Sequence, residues 1–367
     1  MGSSQIRKIA CLIHALKIGG SERVITLLAN EFARRSDLET HIIVYGNDER
    51  SVYEPSEKVT VHRPGFRFDN RVRLLSTLRR LGYLRRTIDK GRYDALLSFG
   101  NRWNNFVMLA CLGLNARVFL SDRSSPELDI GRLQTWLRRL LYPRAAGLLA
   151  QTNCARDMAR RRGLNDRICV VPNPIVMQQV AAESGRKNII LSVGRMVATK
   201  NHDHLIKIFA SLKPDDWKLI IVGDDDQGQK HRSYLGGLAD RLGVSNRVEF
   251  AGERSDVQSF YDRAKIFAFT SSSEGFPNVV AEALASGLPV ISYDCVAGPS
   301  DLITNGENGY LVGLFDKGTF RKHLGELMVD EEKRIQMSIK ARESVAGLSV
   351  ECVASRVLEF MQGRESA

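Results

Sequence analysis

A chain of 367 residues has room for two domains. Its 43% hydrophobic and 26% charged residues exclude a disordered polymer, and its six scattered cysteines lack the paired short spacing of a zinc or thiol-redox centre. The net charge of +11 is carried by the first half, where residues 1–175 hold 30 Lys and Arg against 16 Asp and Glu, which suits contact with nucleic acid, anionic lipid or a phosphorylated ligand.

The apolar run after residues 1–5 is too short for a secretory leader, and residues 106–114 fall far below the roughly 18 apolar residues of a membrane span. The expectation is a cytoplasmic, reduced protein, at most peripheral to a membrane. Residues 6–16 read as a buried strand, and Gly19 and Gly20 turn the chain into an amphipathic helix carrying Val24, Leu27, Leu28 and Phe32. Such a strand, glycine turn and helix can bring backbone close to phosphate, although a third glycine in dinucleotide register is missing. Further strands are predicted at 41–45, 59–62, 93–99, 116–121, 147–151 and 169–171, mostly alternating with helices. That alternation predicts a doubly wound parallel sheet.

Residues 69–92 differ in kind. Eight Arg and Lys face only Asp69 and Asp89, and Leu74, Leu78, Leu81, Leu84 and Ile88 recur at three and four as one apolar stripe. Arg79, Arg86 and Lys90 fall together beside it. The segment reads either as a helix packed on the sheet with a wet basic face or as a basic amphipathic helix at a lipid surface. Residues 101–112 form a second, more apolar helix, and Arg123 lies just after a strand whose end points into a ligand crevice.

The first domain closes near residue 175, and a polar linker leads to a second α/β alternation from residue 188. Arg195 and Lys200, five apart on the loop after its first strand, can converge on a diphosphate. His202 and His204 sit at i and i+2, which do not share a helix face, so they predict helix-start and surface roles with no metal. Asp224, Asp225 and Asp226 read as a loop after the strand 217–222.

A strand at 265–270 then enters a polar loop with Glu274, Phe276 and Pro277, and a helix starts near Asn278 and carries Val279 and Glu282. It ends at Gly287, before a strand over 289–292. Eight helical steps between Glu274 and Glu282 would rise about 12 Å. A hydrolase needs its two carboxyls within roughly 5 to 9.5 Å. The spacing suits one long ligand gripped twice, with phosphate between the grips near the helix start.

Glu274 and Glu282 flanking seven residues, with Gly-Phe-Pro after the first, resemble the signature of the retaining glycosyltransferases of family 4, of the GT-B fold. The resemblance implies two doubly wound Rossmann-like α/β domains facing a central cleft. Residues 1–175, joined by a last helix at 350–367, would bind the acceptor, and residues 176–349 the nucleotide sugar. It implies that Glu274 meets donor-sugar hydroxyls and Glu282 the ribose, that amides near Asn278 and Val279, in the loop of Phe276 and Pro277, face the diphosphate, and that Arg195 and Lys200 neutralise the leaving nucleotide. Gly19 and Gly20 would face the donor phosphates, and Arg254 would lie near the base. Many relatives carry a His where this chain has Arg123, so no catalytic His is carried over, and Arg123 joins Arg79, Arg86 and Lys90 on the acceptor or membrane side. No metal and no cofactor is implied, the UDP-sugar being a substrate.

Arg67-Phe68-Asp69, the basic helix, and Trp136 to Arg139 with Tyr142 and Pro143 further resemble bacterial transferases that extend polyprenyl-diphosphate-linked oligosaccharides. Transfer of a hexose or N-acetylhexosamine to such a glycan at an anionic cytoplasmic membrane face is therefore expected. A soluble acceptor, a nucleotide-sugar epimerase of the same fold, and a nucleic-acid binder remain alternatives, the last lacking a recognition motif with stacking aromatics.

Overall fold

The computed structural model describes residues 5–16, 19–46, 53–177, 185–213, 215–225 and 230–364. The chain divides into two compact units, Met1–Pro174 with Leu348–Ala367, and Ile175–Gly347.

The first unit is built on seven parallel strands: β1 (Lys8–Ile13), β2 (Glu39–Val44), β3 (Thr60–His62), β4 (Ala95–Phe99), β5 (Val118–Ser121), β6 (Gly147–Ala150) and β7 (Ile168–Val170). Their order is β3-β2-β1-β4-β5-β6-β7. The helices between them are α1 (Gly20–Phe32), α2 (Arg73–Gly91), α3 (Asn101–Ala110), α4 (Arg132–Leu141) and α5 (Asn153–Arg161). In the second unit β8 (Ile189–Val193), β9 (Lys218–Val222), β10 (Val248–Gly252), β11 (Ile266–Phe269), β12 (Val290–Tyr293) and β13 (Gly309–Val312) pair in parallel as β10-β9-β8-β11-β12-β13. Its helices are α6 (His202–Ser211), α7 (His231–Arg241), α8 (Val257–Arg263), α9 (Asn278–Ala285), α10 (Pro299–Leu302), α11 (Lys317–Val329) and α12 (Glu331–Val345).

Every residue of β4 and of β8 is buried, as continuous apolar runs must be when helices cover both faces of a parallel sheet. The strands are shorter than the apolar runs that announce them: Ile6 and Leu16 are buried beyond the ends of β1 without belonging to its ladder. In each sheet the order reverses between the first and fourth strands of the unit, and the crevice at the carboxyl ends there is where open α/β sheets take ligands.

The last helix, α13 (Val350–Gln362), belongs to the first unit. Ser349 caps it by accepting from the Cys352 amide at 3.2 Å. Its Phe360 ring sits 5.7 Å from Phe119, over Gly147, where a Cβ would come within 2.7 Å of the Phe360 ring. Arg117 closes the contact by donating to the Met361 carbonyl at 2.6 Å.

The single apolar stripe expected along α2 is divided in the structure. Ser76, Arg80, Leu84 and Ile88 face inward, and Leu84 and Ile88 join the core with Leu81 packed against it. Leu74 and Leu78 lie 75% and 55% exposed. At about 100° per residue, they stand roughly 80 to 120° round the helix from Leu84. Val72 and Leu75 are exposed with them, so the first two turns show apolar residues outward, and Arg79, Arg86 and Lys90 are exposed farther along. Among the described residues no helix is long and apolar enough to cross a membrane.

Candidate active site

In the second unit the reversal point lies between β8 and β11, and the loops leaving these two strands are laced together. The Ser272 amide donates to the Thr199 carbonyl at 2.8 Å. Thr270 Oγ1 reaches the Lys200 carbonyl at 2.8 Å, and Asn201 Nδ2 returns to the Thr270 carbonyl at 3.0 Å. This lacing holds Lys200 Nζ 2.5 Å from Glu274 Oε1, with both side chains mostly buried and the ammonium 5.3 Å from the centre of the Phe269 ring. Two residues 74 positions apart thus form one charged unit at the mouth of the crevice.

The residues after Glu274 are held as firmly. Gly298 takes a positive φ of 108° and leaves room for Pro277, whose Cδ would lie 2.1 Å from a Cβ there. Pro277 accepts from the Val280 and Ala281 amides and so starts α9, which presents Asn278 and Val279 on its first turn. Phe276 is buried beneath the loop. Glu282 projects from the second turn, where the Tyr261 hydroxyl lies 3.2 Å from its Oε2 and 3.3 Å from the Val279 carbonyl. A carboxylate in the loop, the N-terminus of α9 and a second carboxylate on α9 therefore follow one another along the chain, an arrangement suited to an elongated phosphate-bearing ligand.

Arg195 is exposed on the loop before Lys200, where the Met196 amide anchors the backbone to the Asp224 carbonyl at 2.9 Å. Gly223 permits that approach, since a Cβ on it would fall 2.1 Å from the Gly194 carbonyl oxygen. Arg254, expected near a base, pairs with Asp256 at 2.8 and 2.9 Å, and that bond pulls the Asp256 carboxyl down to about 2. The expectation of surface roles for the two histidines is corrected at His202, which is buried under the Gly194–Lys200 loop. Burial first, then the Lys200 charge, lowers its pKa to about 4, so the ring is neutral. His204 instead meets the Tyr293 hydroxyl at 3.3 Å. No group of three His, Cys, Asp or Glu residues suited to a metal occurs among the described residues. Asp224 and Asp225 turn toward Arg232, and Asp226 lies outside the described residues.

In the first unit Gly19 precedes α1 in extended conformation and its carbonyl accepts from the Arg23 amide, with Gly20 opening the helix; Lys17 and Ile18 are outside the described residues. Arg123, expected on the acceptor or membrane side, is partly buried in the first unit. Its guanidinium stacks 3.9 Å over Phe99 and donates to Asn173 Oδ1, because the loop after β5 folds back onto the sheet, and burial lowers its pKa to about 9. Tyr142 donates to Asp122 Oδ1 at 2.7 Å, and Arg138 pairs with Oδ2 of the same carboxylate. The segment singled out in the sequence therefore splits, with Arg138 and Tyr142 turned inward and Trp136 outward. Sequence reasoning missed the reversal point of this sheet: His14, just past β1, stacks on Trp103, just past β4, at 3.7 Å and 14°. A lone His and a lone Trp 89 positions apart give no local signal.

Comparison with known families decides the class. The model for Glycosyltransferase Family 4 matches residues 18–179, and that for Glycosyl transferases group 1 matches residues 176–344. The chain is a glycosyltransferase of GT-B type. A similar relative is the GalNAc-alpha-(1->4)-GalNAc-alpha-(1->3)-diNAcBac-PP-undecaprenol alpha-1,4-N-acetyl-D-galactosaminyltransferase of Campylobacter jejuni, 27% identical over 96% of this chain and 98% of the relative. The lipopolysaccharide core biosynthesis glycosyltransferase LpsE of Rhizobium meliloti is 28% identical over 96% and 98%. Among solved structures, Anabaena HepE in complex with UDP has TM-score 0.83 at 18% identity, covering 97% of this chain and all of that one. The apo galactosyltransferase WaaB of the lipopolysaccharide outer core has TM-score 0.80 at 20% identity, covering 98% and 100%. In this glycosyltransferase the group 1 match contains the whole arrangement from Arg195 to Glu282, and the family 4 match contains α2 to α5.

Proposed function

We propose that this glycosyltransferase moves a hexose or N-acetylhexosamine, with retention, from a UDP-sugar to a lipid-diphosphate-linked glycan at the anionic cytoplasmic face of a membrane. The observation that carries the donor side is the Lys200–Glu274 pair, its Glu274 in the loop that leads into α9. On this reading the first amides of α9, Arg195 and Lys200 surround the UDP diphosphate, Glu282 takes the ribose, and Glu274 takes hydroxyls of the sugar. As the sugar leaves UDP, charge develops on the β-phosphate, where Lys200 and Arg195 stabilise it. The departing phosphate oxygen accepts the acceptor hydroxyl's proton on the same face, so the reaction uses no covalent nucleophile, metal or cofactor.

The acceptor side is supported by α2, with apolar residues exposed on its first two turns and Arg79, Arg86 and Lys90 beyond them, and by relatives whose names include undecaprenol diphosphate. The test is a panel of UDP-hexoses and UDP-N-acetylhexosamines offered with a polyprenyl-diphosphate-linked glycan and, separately, with the same glycan freed of lipid. Transfer to the lipid-linked glycan at least about tenfold faster than to the free one is expected. Equal rates would remove the lipid-linked acceptor.

A further inference from the structure

Three pockets of the first unit differ in charge. One of ≈ 440 Å³ sets Asp89 and Asp94 against Arg92 and Arg117, and one of ≈ 670 Å³ sets Glu351 and Glu359 against Arg356 and Arg364. The third, of ≈ 540 Å³ between α2, α3 and α4, carries Arg73 and Arg102 and, among the described residues, no carboxylate. Its remaining lining is chiefly apolar: Trp103, Phe106, Leu109, Ile130 and Leu137. Its size is that of a small-molecule site.

We propose that this pocket receives the prenyl diphosphate end of the acceptor, Arg73 and Arg102 holding the diphosphate and the apolar wall the first isoprene units. The inference rests on the lipid-linked acceptor proposed above. Two guanidinium groups with no carboxylate beside them among the described lining residues match a diphosphate, and the aromatic and aliphatic wall matches a hydrocarbon that a free sugar phosphate lacks. The walls are preformed. Trp103 is braced by its stack on His14, and Asn105 Nδ2 ties α3 to α4 by donating to Gln134 Oε1 at 2.7 Å and to its carbonyl at 3.0 Å.

The approach is apolar on both sides. Val72, Leu74, Leu75 and Leu78 are exposed beside Arg73, and Leu133, Trp136 and Leu140 are exposed on α4. On α4 that row stands about 100° from the row of Gln134 and Leu137, which lines the pocket. With both rows seated in a bilayer surface, the two arginines lie at headgroup depth and a membrane-borne lipid enters sideways.

The test is calorimetry on the full chain, under saturating UDP so that the donor site is filled. The probes are a soluble three-isoprene prenyl diphosphate, the corresponding prenol, inorganic diphosphate and dihexanoyl phosphatidic acid. The prenyl diphosphate is expected to bind at least about tenfold more tightly than each of the other three, and Arg73→Ala and Arg102→Ala are each expected to weaken it about tenfold with UDP affinity unchanged. Binding no tighter than that of inorganic diphosphate or phosphatidic acid, or unchanged in the double variant, overturns the pocket. If the double variant also uses the lipid-linked glycan with unchanged KM, the pocket fails and the lipid acceptor stands. If the wild type transfers as well to the lipid-free glycan, the acceptor reading fails and the pocket with it.

Discussion

Lys200 Nζ lies 2.5 Å from Glu274 Oε1, joining the loop after the first strand of the second sheet to the loop after the fourth. The pair fixes both groups before a substrate arrives, which limits the rearrangement needed when phosphate charge develops. Glu274→Gln keeps a hydrogen-bonding oxygen and removes the charge that orders Lys200. Transfer is expected to fall about a hundredfold while UDP affinity by calorimetry stays within about threefold. A tenfold loss of UDP affinity would assign Glu274 to the nucleotide instead.

Glu282→Ala is expected to weaken UDP about tenfold or more, since a carboxylate bonded to ribose hydroxyls contributes about 1.5 to 3 kcal/mol. Tyr261→Phe, which removes the hydroxyl 3.2 Å from Glu282, should weaken it only two- to threefold. Unchanged affinity in Glu282→Ala would show that the ribose is held elsewhere.

The Glu274 and Glu282 motif was legible because its parts lie on one loop and one helix, where spacing translates directly into geometry. Its completion was not. Lys200 reads in sequence as a free diphosphate ligand, and its partner lies 74 residues away, reached only because β8 and β11 are neighbours. The same limit hid the His14–Trp103 stack and the inward turn of Arg123. On α2 the leucine spacing correctly announced a helix, yet spacing alone could not say which edge of a broad stripe the sheet would cover. Leu84 and Ile88 went to the core, and Leu74 and Leu78 to the surface.

Gly298→Ala places a methyl on a residue at φ 108°, 2.1 Å from Pro277 Cδ. The loop from Glu274 to Pro277 must shift, so a tenfold or greater loss of transfer is expected with a destabilisation of about 1 to 3 kcal/mol. Crystallography of the variant would show whether Pro277 moved.

Stability should depend on pH through His202. Its folded pKa of about 4 lies below the ordinary 6.5, so the unfolded chain binds the extra proton between those values and stability falls as pH drops through that window. By pH 5 the loss amounts to about 2 kcal/mol. His202→Gln should flatten this component. Parallel acid profiles of thermal midpoint in wild type and variant would contradict it.

Replacing Arg79, Arg86 and Lys90 together by Glu removes three cations worth about 1 kcal/mol each at an anionic leaflet, lowering vesicle partitioning by roughly two orders of magnitude. Trp136→Ser with Leu133→Ser should lower it further without affecting UDP binding. Flotation with anionic liposomes reads both, and undiminished flotation in all variants would leave α2 a packed helix with a wet face.

The most direct test is the rate of sugar transfer from UDP to the lipid-linked glycan in Lys200→Ala and Arg195→Ala, with the product's anomeric proton followed by NMR. The expected result is an α-linked product from the α-linked donor, formed about a hundredfold or more slowly by each variant at unchanged fold. Rates within about threefold of wild type in both variants, or a β-linked product, would contradict a retaining donor site built on these two residues.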